Sequence, residues 1–304
     1  MATETRLTSD QVSEYVLYGV VIGVCAPVFI RNAYYYNHGT TPKYIKFLKC
    51  SMALFMALKT SLFVALSVPN GASCVALGRS ADVFYHLSMM SGDGVLMGRI
   101  YSVVSLHWKK RIFIFHCFIL LVRLVAAIVD ISLVHINYNT ETGSCDYRDS
   151  HVVGVVYTSI DTVVDFYATC MICFILVRHM RKLNREGLVT ASKHQYISIA
   201  AYNCTRCLLL TIVNLISAVG IGSKLGNSYF IPLVNTLWPI TNLLFVALIG
   251  YDTDFTKVIR NMRSQFQDNK STSMFNVALP PPFGHQLSNR NSDIPSTAAS
   301  STPH

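Results

Sequence analysis

Ionisable residues interrupt several long apolar stretches of this chain, among them Lys59, Asp93, Arg99, Arg123, Asp130, Asp161, Asp165 and Arg206. A charge at the centre of a bilayer costs at least a few kcal/mol, so such groups must pair or line a polar cavity. Helical geometry groups them. Asp161 and Asp165 stand four apart, Arg123 and Asp130 seven apart, and each pair shares a helix face. Counted from the ends of their stretches, Asp93, Arg123, Asp165 and Arg206 fall near mid-depth. Asp130, Asp161 and His86 lie nearer one mouth, and Arg99 lies nearer the other. Three kinds of chemistry use such a set: an ion-pair network that fixes helix packing, a polar ligand pocket, or an ion or proton path. The pocket candidates are His86, Asp93, Asp130, Asp161 and Asp165. Tyr85, Tyr157 and Tyr167 could each serve in the core or in a pocket, and the core is the first reading for any single one.

Catalysis is the weakest reading. The chain has no His/Asp cluster at metal-ligand spacing, no Gly-Asp or Ser-His protease pair and no phosphate-cradling loop, so no enzyme, metal or cofactor is expected. Of nine cysteines, Cys170 with Cys173 and Cys204 with Cys207 have CxxC spacing. They read as small packing residues, because neither pair has the His or hydrophilic surroundings of a metal or redox site.

The elements that must position these groups are seven apolar stretches, at 12–30, 44–68, 75–106, 112–136, 152–177, 197–221 and 229–250. A hydrocarbon core about 30 Å thick needs roughly 20 helical residues to span it. Only a segment that satisfies its own backbone can do so. The basic residues fall on every second side: Arg31, Lys43, Lys46 and Lys49 after the first span, Lys109, Lys110 and Arg111 after the third, and Arg178, Arg181, Lys182, Arg185 and Lys193 after the fifth. Arg6, Arg79, Arg148 and Lys224 are all that the opposite side offers. The positive-inside rule puts the N-terminus outside and the C-terminus inside. His86, Asp130 and Asp161 are then near the outer mouth, and Arg99 is near the inner one.

Composition agrees. Of 304 residues, 52% are hydrophobic and 13% charged, against about 25% charged in soluble domains. The net charge of +9 belongs to short inner loops facing anionic lipid, not to nucleic acid. Residues 1–11 are polar and lack a signal-peptide core, so the first span is expected to act as the insertion signal. The third stretch carries Gly92, Gly94 and Gly98 among its charges and should run tilted through the middle of the bundle. After 12–250, Phe255, Val258, Ile259, Met262 and Phe266 form one stripe of a basic amphipathic helix at 252–266, suited to the inner leaflet. The Ser-, Thr- and Pro-rich tail 267–304 reads as disordered. Cys74 and Cys145 are the obvious partners on the oxidising side and should form a disulfide. The fold class is therefore an all-α membrane protein, a seven-helix transmembrane bundle with the N-terminus out.

These features resemble a G protein-coupled receptor over about 12–266. Arg99 stands 25 positions after Cys74, the spacing of the third-span Cys and motif Arg in rhodopsin-like receptors. Here the triplet is Gly98-Arg99-Ile100, with Tyr101 one place late, and span seven has Trp238-Pro239-Ile240-Thr241-Asn242 in place of an Asn-Pro-x-x-Tyr motif. Span seven has no Lys to hold retinal, which disfavours light sensing. The resemblance implies a plasma-membrane receptor for an extracellular ligand. Its heterotrimeric G protein would meet Arg99, Lys109, Lys110, Arg111, Arg181 and Lys182, and its tail would be phosphorylated. A seven-helix carrier or channel that uses the intramembrane charges is the second reading, disfavoured by the lack of an internal repeat.

Overall fold

The computed structural model describes residues 9–37, 41–67, 73–140, 144–148, 150–185, 191–222 and 230–251. Within them the chain forms seven helices: α1 (Ser9–Tyr34), α2 (Lys43–Ser67), α3 (Cys74–Val103), α4 (Leu106–Leu133), α5 (His151–Arg185), α6 (Ala191–Gly222) and α7 (Phe230–Gly250). Two short strands, β1 (His135–Tyr138) and β2 (Cys145–Arg148), pair antiparallel between α4 and α5, with His135 opposite Arg148 and Tyr138 opposite Cys145. The expected amphipathic helix at 252–266 and the tail at 267–304 lie outside the described residues.

Four helices contain runs long and apolar enough to cross a membrane: Val12–Tyr34, Lys43–Ser67, Leu106–Leu133 and Val152–Arg178. They mark the chain as a membrane protein. α3 is not among them, since it carries Arg79, Asp82, Asp93 and Arg99 along its length. Its reach is nonetheless ample. At 1.5 Å per residue even α7, with 21 residues, is about 31 Å long.

α4 shows what solvent this surface meets. Phe113, Ile114, Phe118, Leu121, Val125 and Ile128 are exposed, while the residues it buries are His116, Arg123, Ala127 and Asp130. A helix in water does the reverse. The outward apolar face belongs in lipid, and the buried polar stripe has to find partners inside.

α3 supplies most of them. It packs most extensively on α2 and also touches α4, α5, α7 and β1, whereas α1 packs on α2 and α7, and α6 on α5 and α7. Val21 and Val28 of α1, Met52 and Met56 of α2, Val95, Leu96 and Ile100 of α3, Ile172 and Leu176 of α5, and Phe245 and Ile249 of α7 form the main core. Gly92 of α3 makes one of these contacts possible, since a methyl group there would overlap the ring of Phe245. A smaller cluster gathers Tyr18, Phe63, Leu66 and Ala81 with Tyr147 and Trp238. Phe63 meets Tyr147 edge-on at 5.1 Å and Trp238 at 5.8 Å between ring centroids. The hairpin is thereby packed against the bundle.

Several boundaries differ from the sequence expectation: α1, α5 and α6 run past the expected spans, so Arg31, Arg178, Arg181, Lys182, Arg185 and Lys193 belong to helices and not to loops, and α4 stops at Leu133, before His135 and Ile136 enter β1. α3 ends at Val103 and α4 begins at Leu106, with Val104 and Ser105 extended between them. Lys109, Lys110 and Arg111 are therefore on the first turns of α4 and not in a loop. Lys46 and Lys49, expected in a basic loop, are buried on α2. The charge count placed them on the right stretch of chain, but their partners are carbonyl groups, which no count of residue types reveals.

Candidate functional site

The buried stripe of α4 recurs every seven residues at His116, Arg123 and Asp130, so all three side chains leave the same face. They span about 21 Å along the helix axis. Each has a partner on α3 or α5. His86 Nε2 of α3 lies 2.9 Å from Asp130 Oδ2. Arg123 Nη1 sits 3.0 Å from Asp93 Oδ2 of α3 and forms a second ion pair with Asp161 of α5. His116 Nε2 is 3.0 Å from the Tyr167 hydroxyl of α5. The result is a polar seam between α3, α4 and α5, in which Arg123 is shared by two carboxylates. None of its N–H groups makes a well-aligned hydrogen bond, so charge proximity in a low-dielectric interior holds this centre together.

Beside the His86–Asp130 pair, the Tyr157 hydroxyl donates to that of Tyr85, and both rings pack edge-on near the imidazole of His86. A small cavity lies against His86, Arg123, Ala127, Tyr157 and Asp161. It holds no more than a water molecule. Deeper between α5 and α6, Asp165 lies within electrostatic reach of Arg206. Arg206 is fully enclosed, and its guanidinium makes no hydrogen bond among the described residues.

All five expected pocket residues, His86, Asp93, Asp130, Asp161 and Asp165, are buried. The fold joins four of them through Arg123 and His86 and leaves Asp165 beside Arg206. A different basic residue faces the hairpin. Lys59 Nζ lies 4.5 Å from the ring centre of Phe63, 5.2 Å from that of Trp238 and 5.3 Å from that of Tyr85, an aromatic enclosure suited to a cation. Nearby, the Tyr147 hydroxyl of β2 donates to Asp82 Oδ1 of α3 at 2.6 Å. Cys74, at the start of α3, is disulfide-bonded to Cys145 at the start of β2, with Cα atoms 5.5 Å apart. The hairpin is thus tied to α3 covalently and through Tyr147.

At the opposite end of the bundle, the last carbonyls of α7 would be orphaned by the helix end. Three helices satisfy them. Tyr202 of α6 donates to Leu248 O at 2.8 Å, Arg99 of α3 to Ile249 O at 3.3 Å, and Lys49 of α2 to Gly250 O at 3.2 Å. Lys46 does the same for Tyr35 O beyond the end of α1, at 2.6 Å. Cations at helix C-termini also gain from the helix dipole. Sequence reasoning had Arg99 but missed Lys49 and Tyr202, because a backbone acceptor leaves no trace in residue type.

Of the other residues expected to couple to a partner, Lys110, Arg111 and Arg181 are exposed and Lys109 is half-buried. Lys109 Nζ stands over the Tyr101 ring and the Arg111 guanidinium over that of Trp108, each 5.2 Å from the ring centre. Lys182 belongs to α5, but its side chain lies outside the described part. No family model matches the chain, and no curated protein matches it.

Proposed function

We propose that the protein is a cell-surface signalling receptor of G protein-coupled type, with seven spans, the N-terminus outside and the C-terminus inside the plasma membrane. The observation that carries this reading is that one helix connects two linked ends. α3 begins at the Cys74–Cys145 disulfide that ties down the hairpin and carries Arg99 near its other end, bonded to the terminus of α7. A ligand that binds under the hairpin, near Lys59 and Asp82, would favour one position of α3 over another. That differential affinity shifts the population of the inner arrangement. A heterotrimeric G protein would then engage Arg99 together with Lys109, Lys110, Arg111, Arg181 and Lys182.

The carrier or channel reading draws on the mid-depth charges Asp93, Arg123, Asp165 and Arg206. Against it stand the pairing of Arg123 with Asp93 and Asp161 and, among the described residues, a cavity beside them no larger than a water molecule. The deciding experiment is nucleotide exchange on a panel of heterotrimeric G proteins by the protein in membranes. Basal exchange suffices, because it needs no knowledge of the ligand. Exchange on none of them, together with solute uptake lost in Asp165→Asn, would overturn the receptor reading in favour of a carrier.

A further inference from the structure

We propose that Cys173 and Cys204 are a peroxide-responsive dithiol that closes into a disulfide between α5 and α6. The two Sγ atoms lie 3.5 Å apart, in contact but unbonded, although the residues are 31 positions apart in the chain. Cys204 is exposed and Cys173 half-buried, so the pair opens on the lipid-facing surface. Cys170 and Cys207, the other members of the two CxxC pairs, are near enough to act electrostatically on Cys173. Only Cys207 of the four is buried. A disulfide brings its sulfurs to about 2 Å, which asks for a closure of about 1.5 Å here. Side-chain rotation and a small rocking of one helix supply that.

The oxidant we assign is a lipid hydroperoxide, which arises in the acyl phase these thiols face. In the first step the Cys204 sulfur attacks the terminal peroxide oxygen and the O–O bond breaks. The lipid leaves as an alcohol, taking the thiol proton, and Cys204 becomes a sulfenic acid. In the second step the Cys173 sulfur displaces the hydroxyl group from Cys204, the S–S bond forms and water departs. Two thiols lose two electrons, and one peroxide is reduced to an alcohol and water.

The consequence for the bundle follows from position. Tyr202, which holds Leu248 O, is two residues before Cys204 on α6. A staple at Cys204 fixes α6 against α5 in the arrangement that keeps this hydrogen bond. On the receptor reading, on which this consequence alone rests, oxidation suppresses nucleotide exchange and a dithiol reductant restores it.

The test uses the full chain in nanodiscs of phosphatidylcholine, with and without hydroperoxidised linoleoyl chains. Peptides are mapped by mass spectrometry without reduction. The expected result is a linked Cys173–Cys204 peptide and the loss of both thiols to alkylation in peroxidised lipid only, with Cys74–Cys145 retained. Cys173→Ala and Cys204→Ala should lose the link. Oxidation to sulfinic or sulfonic acid with no link, or a link to Cys170 or Cys207, overturns the proposal. So does failure of copper(II) phenanthroline to cross-link the pair, because the juxtaposition is then wrong. Absence of G-protein exchange by reduced protein counts against the receptor reading and leaves the disulfide measurement untouched.

Discussion

Arg99 of α3 donates a hydrogen bond from Nη2 to the main-chain carbonyl of Ile249, the penultimate residue of α7, at 3.3 Å. The bond joins a buried guanidinium to a helix end that would otherwise present unpaired carbonyls. It is one of three such bonds, with Lys49 and Tyr202 holding the carbonyls on either side. α7 is therefore the point at which α2, α3 and α6 are fastened together at this end. In this arrangement Arg99 is occupied, and a partner can use it only by replacing Ile249 O with an acceptor of its own.

That exchange makes Arg99→Ala informative. The expected outcome is loss of G-protein activation with surface expression and any outside ligand binding retained. Nucleotide exchange and surface labelling measured on the same cells check it. Normal signalling by this variant would remove Arg99 from the coupling surface.

Tyr202→Phe tests the same fastening from the other side. The ring stays and only the donor to Leu248 O is removed, a loss of about 1 kcal/mol for one hydrogen bond. If the bond favours the silent arrangement, basal exchange should rise by up to about fivefold, which is what 1 kcal/mol is worth in a two-state population. A Tyr202→Phe variant with unchanged basal exchange would show that this hydrogen bond does not weigh on the equilibrium.

Gly92 sets how closely α7 approaches α3. Gly92→Ala would drive its methyl group into the Phe245 ring, with Met52 Sδ also only 3.2 Å from it. Overpacking of this kind costs about 1–3 kcal/mol. The thermal midpoint in detergent should fall, and adding Phe245→Leu should recover part of the loss. Equal stability of Gly92→Ala and the parent would mean that α7 is free to move away from α3 at this level.

Removing the disulfide should loosen the hairpin. Cys74→Ser with Cys145→Ser should lower stability by about 2–4 kcal/mol, the usual range for a native cross-link, and expose Tyr147 and Asp82 to solvent. Mass spectrometry of unreduced protein provides the direct check. Two free thiols at Cys74 and Cys145 in folded material would contradict the covalent tie.

The helices were legible because an apolar run of spanning length has few alternatives in lipid. So was the inward face of α4, since Arg123 and Asp130 seven apart must turn the same way and both are buried. Three things were not legible. The hairpin was missed because His135–Tyr138 and Cys145–Arg148 are strands of only four residues, too short for their alternation to stand out, and His135 and Ile136 read as the end of the fourth apolar stretch. The choice of Asp93 and Asp161 as partners of Arg123 depends on the rotation of α3 and α5, which spacing within α4 does not set. The contact between Cys173 and Cys204 was hidden for the same reason: each CxxC pair looked inert alone, and its partner is on another helix.

The shared position of Arg123 gives the sharpest test of the seam. Arg123→Met removes the only cation within ion-pair distance of both Asp93 and Asp161 among the described residues. Two carboxylates are then left in a buried site without their counterion. Breaking a buried pair from one side costs about 3–5 kcal/mol, so little folded protein should reach the surface. Replacing the whole triad, Asp93→Leu with Arg123→Met and Asp161→Leu, leaves no uncompensated charge. A buried ion-pair triad can be replaced by well-packed apolar side chains of similar volume at small cost, so surface expression and thermal midpoint should return towards those of the parent. Activity separates what remains. A triad variant that folds and still drives nucleotide exchange assigns the seam to helix packing. One that folds but no longer responds gives Arg123 and its carboxylates a part in the switch itself. An Arg123→Met protein as stable as the parent would show that the seam does not hold the helices together.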